Sequence, residues 1–234
     1  MRDNIWIIIP AYNEEKTINS VLSDLKKRNF PVLVIDDGSE DATARIAEKA
    51  GAIVLNNSKN LGKGMSLKKG INYLLKKEDV DYIITMDADR QHSPEDLDKF
   101  LRAAENNEEF VIGNRMENPE GMPKIRIITN KLMSWFISKI TKQSIPDSQC
   151  GFRLIKRKVL ERLNIETNKF QVESEIVIKA AHLGVSIKSV PIRSIYHKNM
   201  LSKIHPLLDT LRFIRFILSL YRDKIKSRFN KNGR

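Results

Sequence analysis

The stretch "TMDADRQHSPEDL", residues 85–97, places Asp87 and Asp89 one residue apart where a hydrophobic run ends, and Gln91 follows two positions on. Neighbouring carboxylates repel unless a positive charge lies between them. Two hard carboxylate oxygens and an amide oxygen suit Mg²⁺ or Mn²⁺, ions that keep several waters and bind substrate phosphates. The spacing therefore predicts a divalent cation held by Asp87, Asp89 and Gln91 and shared with a diphosphate. The plainer alternative makes Asp89 a turn cap ahead of Ser93, since D-x-D alone is a weak signal.

A second acidic pair, Asp36 and Asp37 of "VIDDGSED", also follows a hydrophobic run. Carboxylates in that position can accept hydrogen bonds from a ribose hydroxyl or a base N–H. They could instead cap the next helix, although Ser39 and Asp41 are available for that. "NLGKGMS" (60–66) suggests a phosphate loop but fails both glycine patterns. One needs glycine at position 57, where Asn57 stands, and the other at position 67, where Leu67 stands. Gly62 and Gly64 still allow close backbone approach, and Lys63 can meet an anion.

These groups need a scaffold, and the first half supplies one by alternation. Apolar runs at 5–10, 31–37, 52–56, 81–87 and 110–114 read as strands. Helical patterns fall between them at 17–29, 41–51, 62–77 and 93–107. Ser93, Pro94 and Asp96 form an N-terminal helix signature, with Asp96 expected to close a capping box. Continuously apolar strands separated by helices predict an α/β fold with a mostly parallel sheet flanked by helices. Ligands bind such sheets outside the carboxyl ends of the strands, so "PAYNEE", "DDGSED", "DADRQ" and "GNR" should share one rim. The second half reads as a basic amphipathic helix (123–143), a loop, short strand and helix (147–163), a helix (172–184) and an extended edge segment (185–194) containing Pro191.

With 234 residues and 41% hydrophobic content the chain can bury one good core with a small appendage. It has no run of 18 apolar residues, and its first residues do not form a signal peptide. Cys150 is the only cysteine, which excludes a disulfide framework and points to a reducing compartment. Charge is divided unevenly. Residues 1–122 carry 17 Lys+Arg and 22 Asp+Glu, whereas residues 123–234 carry 24 and 7. That division suggests an anionic partner, nucleic acid or a membrane surface, facing the second half. A solvated basic face is the bland alternative.

The motifs "IIIPAYNEEKTI", "VLVIDDGSEDAT", "NLGKG", "MDADRQHSPEDL" and "GNR", in this order, resemble the family 2 glycosyltransferases, which have the Rossmann-like GT-A fold. "DSQCGFRLIKRKVL" and "VESEIVIKAAHLGVSIKSVPI" are similar to the branch of dolichyl- and polyprenyl-phosphate mannosyl- and glucosyltransferases. The likeness spans roughly residues 4–215. It implies an inverting, Mg²⁺- or Mn²⁺-dependent transfer of a hexose from a UDP- or GDP-sugar to a polyprenyl phosphate. It further implies that Pro10, Ala11, Tyr12, Asn13, Glu14, Asp36, Asp37, Lys63, Asp87 and Ala88 bind the nucleotide sugar. Asp87, Asp89 and Gln91 would hold the metal. Asp89, Arg115, Arg126 and Lys203 would act at the reacting phosphates.

The acceptor decides whether a base is needed. A hydroxyl needs a carboxylate to take its proton, for which Asp147, Glu173 and Glu175 are candidates. A lipid phosphate arrives ionised and needs cations, which suits the basic second half. Cys150 and the four histidines, His92, His182, His197 and His205, show no ligand or nucleophile pattern. Trp135 and Phe136, beside Lys131 and Lys139, suit either a core or a membrane interface.

The expected organisation is a GT-A catalytic domain at 1–195, with a nucleotide-sugar half (1–122) and an acceptor half (123–195). A basic amphipathic segment follows at 196–229, then a tail at 230–234. Residues 196–234 carry 10 Lys+Arg against 2 Asp+Glu. Apolar positions from Leu207 to Ile225 recur at helical spacing there, beside a stripe of Arg212, Arg215, Arg222 and Lys226. That pattern suits a helix lying in anionic headgroups, or one packed on the core or in a homodimer. The expected location is cytoplasmic, peripheral on the inner face of the membrane. The rival reading, a non-catalytic nucleic-acid or membrane-surface binding protein, finds no RNA-recognition signature or zinc spacing here, so no nucleic-acid partner is expected.

Overall fold

The structure, a computed structural model, describes residues 4–167 and 171–195. Lys203, His197, His205 and the amphipathic segment and tail expected from residue 196 onward lie outside the described residues.

Seven strands form one sheet: β1 (Ile5–Ala11), β2 (Val32–Asp36), β3 (Ile53–Asn56), β4 (Tyr82–Thr85), β5 (Phe110–Asn114), β6 (Arg153–Lys156) and β7 (Ile187–Pro191). Their order across the sheet is β3-β2-β1-β4-β6-β5-β7. Every pairing is parallel except those of β6, which runs antiparallel between β4 and β5. The mostly parallel sheet agrees with the alternation of the first half. Reversed β6 in its middle was not expected, because nothing in a short apolar run reveals its direction. The reversal brings residues 147–152, which precede β6, onto the rim where the other strands end. β7 lies at the sheet edge, where Pro191 removes no ladder bond from a further strand.

The β1 run is apolar throughout because both of its faces are covered. Ile5, Ile7, Ile8 and Ile9 are all within 1% of full burial, and each is worth about 1.5–3 kcal/mol against solvent. Helix α1 (Ile18–Lys27) buries Ile18, Val21, Leu22 and Leu25 on one stripe. It stops where Asn29 takes φ 57°, a left-handed residue that closes the last turn. Helices α2 (Thr43–Lys49) and α3 (Lys63–Leu74) cover the β1–β3 side, and α3 packs on β1 and β2. The expected helix at 93–107 is a 3₁₀ turn (Pro94–Asp96) leading into α4 (Leu97–Glu105). Ser93 accepts a bond from Glu95 N as an N-cap should, but Asp96 does not complete a capping box. Its carboxylate takes Lys99 Nζ and Arg193 N instead. Helices α5 (Lys124–Thr141), α6 (Arg157–Leu160) and α7 (Val172–His182) complete the described chain, with α5 packed on α7.

Gly38 is fixed by the turn after β2. It has φ 74°, and a Cβ there would lie 2.5 Å from the carbonyl carbon of Lys59. Gly38→Ala is expected to lower stability by about 1–3 kcal/mol, read as a reduced urea midpoint with an unchanged slope.

Candidate active site

The loops after β1 and β2 are laced into one wall. Asp37 N donates to Ala11 O at 2.8 Å, Asn13 N to Ser39 Oγ at 2.9 Å and Glu14 N to Thr43 Oγ1 at 2.8 Å. Glu40 N returns a bond to Asn13 Oδ1, and Glu15 N reaches Asp41 Oδ2. Asn13 takes φ 53° to turn the chain. Beyond this wall lies an open cleft of about 590 Å³, lined by Tyr12, Asp36, Gly38, Ser39, Asn57 and Lys59 among others. Its size is in the range of ligand sites.

The two aspartates of "DDGS" do different work. Asp37 is the loop anchor: its carboxylate accepts bonds from Asn57 Nδ2 at 2.8 Å, Leu61 N at 3.1 Å and Gly62 N at 2.8 Å. It thereby positions the start of α3 and the Lys63 side chain. Asp36 lines the cleft. One of its oxygens accepts from Ser39 N, while Oδ1 is buried and without a hydrogen-bond partner among the described residues. Asn57, the residue that ruled out a phosphate loop, is the buried link between Asp37, Ser66 and Lys69.

Lys63 Nζ sits 2.5 Å from Asp87 Oδ1 and 2.7 Å from Glu173 Oε1. Burial disfavours its charge, but the two carboxylates outweigh burial and raise the lysine above its ordinary value. Burial likewise opposes ionisation of Asp87, and the Lys63 ammonium overcomes it, holding the carboxyl well below the usual carboxylate range. Asp89 has the opposite environment. Burial, then the Asp87 charge, pushes its carboxyl up to about 6, and Gln91 N donates to it at 3.0 Å. His92 is buried, stacks on Phe152 with ring centroids 5.1 Å apart, and is lowered by burial to about 4. It is therefore neutral near neutral pH, and its 3.9 Å separation from Asp87 Oδ2 is not an ion pair. Gly151 closes the site from below: a Cβ there would lie 2.7 Å from Asp87 Oδ2 and 2.9 Å from Lys63 Nζ.

Arg115 and Asp147 form a buried bidentate pair, with Nε–Oδ2 at 2.7 Å and Nη2–Oδ1 at 2.9 Å; Arg115 N adds a third bond at 3.1 Å. Burial opposes the Asp147 charge, and the guanidinium prevails and lowers its carboxyl. Glu175 does not turn to the rim. It accepts bonds from Glu166 N, Thr167 N and Thr167 Oγ1, and pairs with Lys179 at 2.7 Å. Arg126 lies in the first turn of α5, Pro10 and Ala11 end β1, and Ala88 is buried between Asp87 and Asp89.

Three residues outside the expected site organise this region. Arg153 is fully buried and donates to the carbonyls of Cys150, Glu173 and Ser148 at 2.6–2.8 Å, tying the 148–150 loop to α7. Its signal, a lone arginine opening an apolar run, was visible but ambiguous. Asp96 is the second. It holds Arg193 N at 2.8 Å, beside the His92–Ser194 bridge and the Ile195 N to Gln91 O bond at 3.0 Å. Residues 191–195 thus strap the loop that carries Asp89 and Gln91. Gly151 is the third, and no sequence feature distinguished it.

A family model described as glycosyl transferase family 2 matches residues 6–163. The chain belongs to this family. As a family 2 glycosyltransferase it is an enzyme that transfers sugar, and its relatives fall in the dolichyl- and polyprenyl-phosphate branch. It is similar to a UDP-N-acetylglucosamine–dolichyl-phosphate N-acetylglucosaminyltransferase of Methanococcus voltae, 31% identical over 216 residues that cover 82% of this chain and 86% of the relative. A dolichyl-phosphate hexose transferase of Haloferax volcanii is 28% identical over 193 residues, 81% of this chain and 82% of that one. Among solved structures, glucosyl-3-phosphoglycerate synthase of Mycobacterium tuberculosis, crystallised with Mn²⁺, UDP and glucosyl-3-phosphoglycerate, superimposes with a TM-score of 0.72. That match has 21% identity and covers 93% of this chain and 79% of that one. It establishes the GT-A fold of the glycosyltransferase.

Lys63→Met is expected to leave the half-buried Asp87 and the buried Glu173 without their cation. The cost is about 3–5 kcal/mol near neutral pH. The wild-type pair contributes through a depressed Asp87, so its stability is present above the ordinary aspartate range and fades as the pH falls below it. The variant's deficit should therefore shrink on acidification below that range, as read by urea unfolding at pH 7 and pH 3. Asp96→Ala should leave a folded protein whose amide exchange rises at Arg193 and around Gln91.

Proposed function

We propose that this glycosyltransferase moves a hexose, with inversion and with Mg²⁺ or Mn²⁺, from a UDP- or GDP-sugar to a polyprenyl phosphate. The carrying observation is that the candidate general bases are already engaged. Asp147 is locked to Arg115 by two side-chain bonds, and Glu175 is turned into the 166–167 loop. Glu173 rests on Lys63. An acceptor that arrives ionised needs none of them.

On the donor side, the buried Oδ1 of Asp36, without a hydrogen-bond partner among the described residues, suits a base or ribose donor group, with Tyr12 and Lys59 lining the cleft that Asp36 also lines. Asp37 serves that pocket indirectly, through the loop it anchors. Asp89 fits a divalent ion: burial and then the Asp87 charge disfavour its ionisation, a cation would relieve both, and hard oxygen donors suit these metals. Among the described residues no group of three His, Cys, Asp or Glu side chains could hold a metal, so donor oxygens and water would have to complete the ion's shell. Because Lys63 already holds Asp87 Oδ1, Asp87 would contribute chiefly charge, leaving ligation to Asp89 and Gln91. When bound, such an ion supplies charge stabilisation to the departing diphosphate. Arg115, oriented by Asp147, and Arg126 would hold phosphate oxygens, as would Lys203.

A hydroxyl acceptor is the second reading, and one observation favours it: Glu173 Oε2 is buried without a hydrogen-bond partner among the described residues. Donor screening with UDP- and GDP-hexoses, Mg²⁺ or Mn²⁺ and a short polyprenyl phosphate tests the main reading by formation of a glycolipid. Asp89→Asn should lower kcat by about 10²–10³-fold, and Asp36→Asn should raise the donor KM with a smaller effect on kcat. Loss of nearly all turnover in Glu173→Gln, with the fold intact, would instead support the hydroxyl acceptor.

A further inference from the structure

Helix α5 has two unlike faces. Asn130, Met133, Ser134, Ile137 and Thr141 are buried, and Ser148 N donates to Ser134 Oγ at 2.9 Å. The opposite side carries Ile125, Ile128, Leu132, Trp135 and Phe136, which are 37–62% exposed. These positions recur at helical spacing and form one apolar stripe, the kind of contiguous surface that marks a contact. Trp135 and Phe136 pack edge to face with centroids 4.9 Å apart, and Lys139 Nζ lies 5.8 Å from the Trp135 ring. Exposed Lys124, Lys131 and Lys139 rim the stripe, and the helix contains no acidic residue.

Charge selects the occupant. A second copy packed face to face across a two-fold axis would bring lysine against lysine. Residues 196–234 of the same chain, with 10 Lys+Arg against 2 Asp+Glu, would do the same. A bilayer with anionic headgroups offers an apolar interior to the rings and isoleucines and phosphates to the lysines.

We propose that the outward face of α5 seats this glycosyltransferase on an anionic lipid surface. The inference deepens the polyprenyl-phosphate reading, since such an acceptor is confined to a bilayer. The Ser134–Ser148 contact puts the docked face about one helix diameter, roughly 10–12 Å, from the loop that orients Arg115 through Asp147.

The test is co-sedimentation of the full chain with vesicles, without donor or acceptor. Phosphatidylcholine vesicles are compared with mixtures containing phosphatidylglycerol. The wild type should partition onto the anionic vesicles and be released by salt. The Ile128→Ser/Trp135→Ser double variant should lose about tenfold or more in partition, the equivalent of burying two side chains less well. Lys131→Glu/Lys139→Glu should lose about tenfold or more at low salt. Both should retain wild-type turnover on a short-chain acceptor in solution. Partition unchanged in either variant would overturn the proposal. So would a wild-type dimer that the double variant converts to a monomer while vesicle binding persists. A transfer assay that yields no glycolipid would sink the acceptor reading alone, because vesicle binding is measured independently.

Discussion

A single ammonium group organises the rim. Lys63 lies between Asp87, just after β4, and Glu173, in the first turn of α7, so it joins the β1–β4 part of the sheet to a helix more than a hundred residues later. Two carboxylates held that closely would repel each other without it. The rest of the neighbourhood follows from holding this lysine in place. Asp37 fixes the loop before α3, Gly151 clears room beside the pair, and Arg153 ties the 148–150 loop to the carbonyl of Glu173.

That arrangement divides labour between carboxylates that look alike in sequence. Asp87 is kept charged by its lysine, while Asp89, two residues on, has burial and a like charge against it. Asp37 is saturated by N–H donors, while Asp36 keeps a buried oxygen without a hydrogen-bond partner among the described residues. In each pair one member is fully engaged in the framework and the other is left with its charge less fully compensated. Such opposed environments are a recurring way of separating structural from chemical roles.

Much of this was legible beforehand, for identifiable reasons. The parallel strands announced themselves because a strand covered on both faces must be apolar throughout, as Ile5–Ile9 are. The rim followed from the rule that ligands gather at strand ends, and "DADRQ", "DDGS" and "GNR" do lie there. What stayed hidden depends on contacts between distant residues. No periodicity reports that β6 runs backwards, that Arg115 is claimed by Asp147, or that Glu175 points into its own loop. Gly151 could not be singled out either, since its need is set by Asp87 and Lys63 side chains. The helix-start signature at Ser93 delivers its N-cap. Asp96 went elsewhere because Lys99 and the 191–195 strap offered it stronger partners.

The reversed β6 has a consequence for biosynthesis. During translation β5 leaves the ribosome before β6, yet β5 can reach the β1–β4 platform only through β6. The nascent chain must therefore carry β5 with both edges open for about forty residues of elongation. Only when β6 threads between two strands already made does the sheet become continuous, and the loop bearing Asp147 and Gly151 arrives at the rim in that same event. Maturation of the pocket and closure of the sheet are one step, so a ribosome paused before residue 153 would present a half-built platform with no catalytic floor.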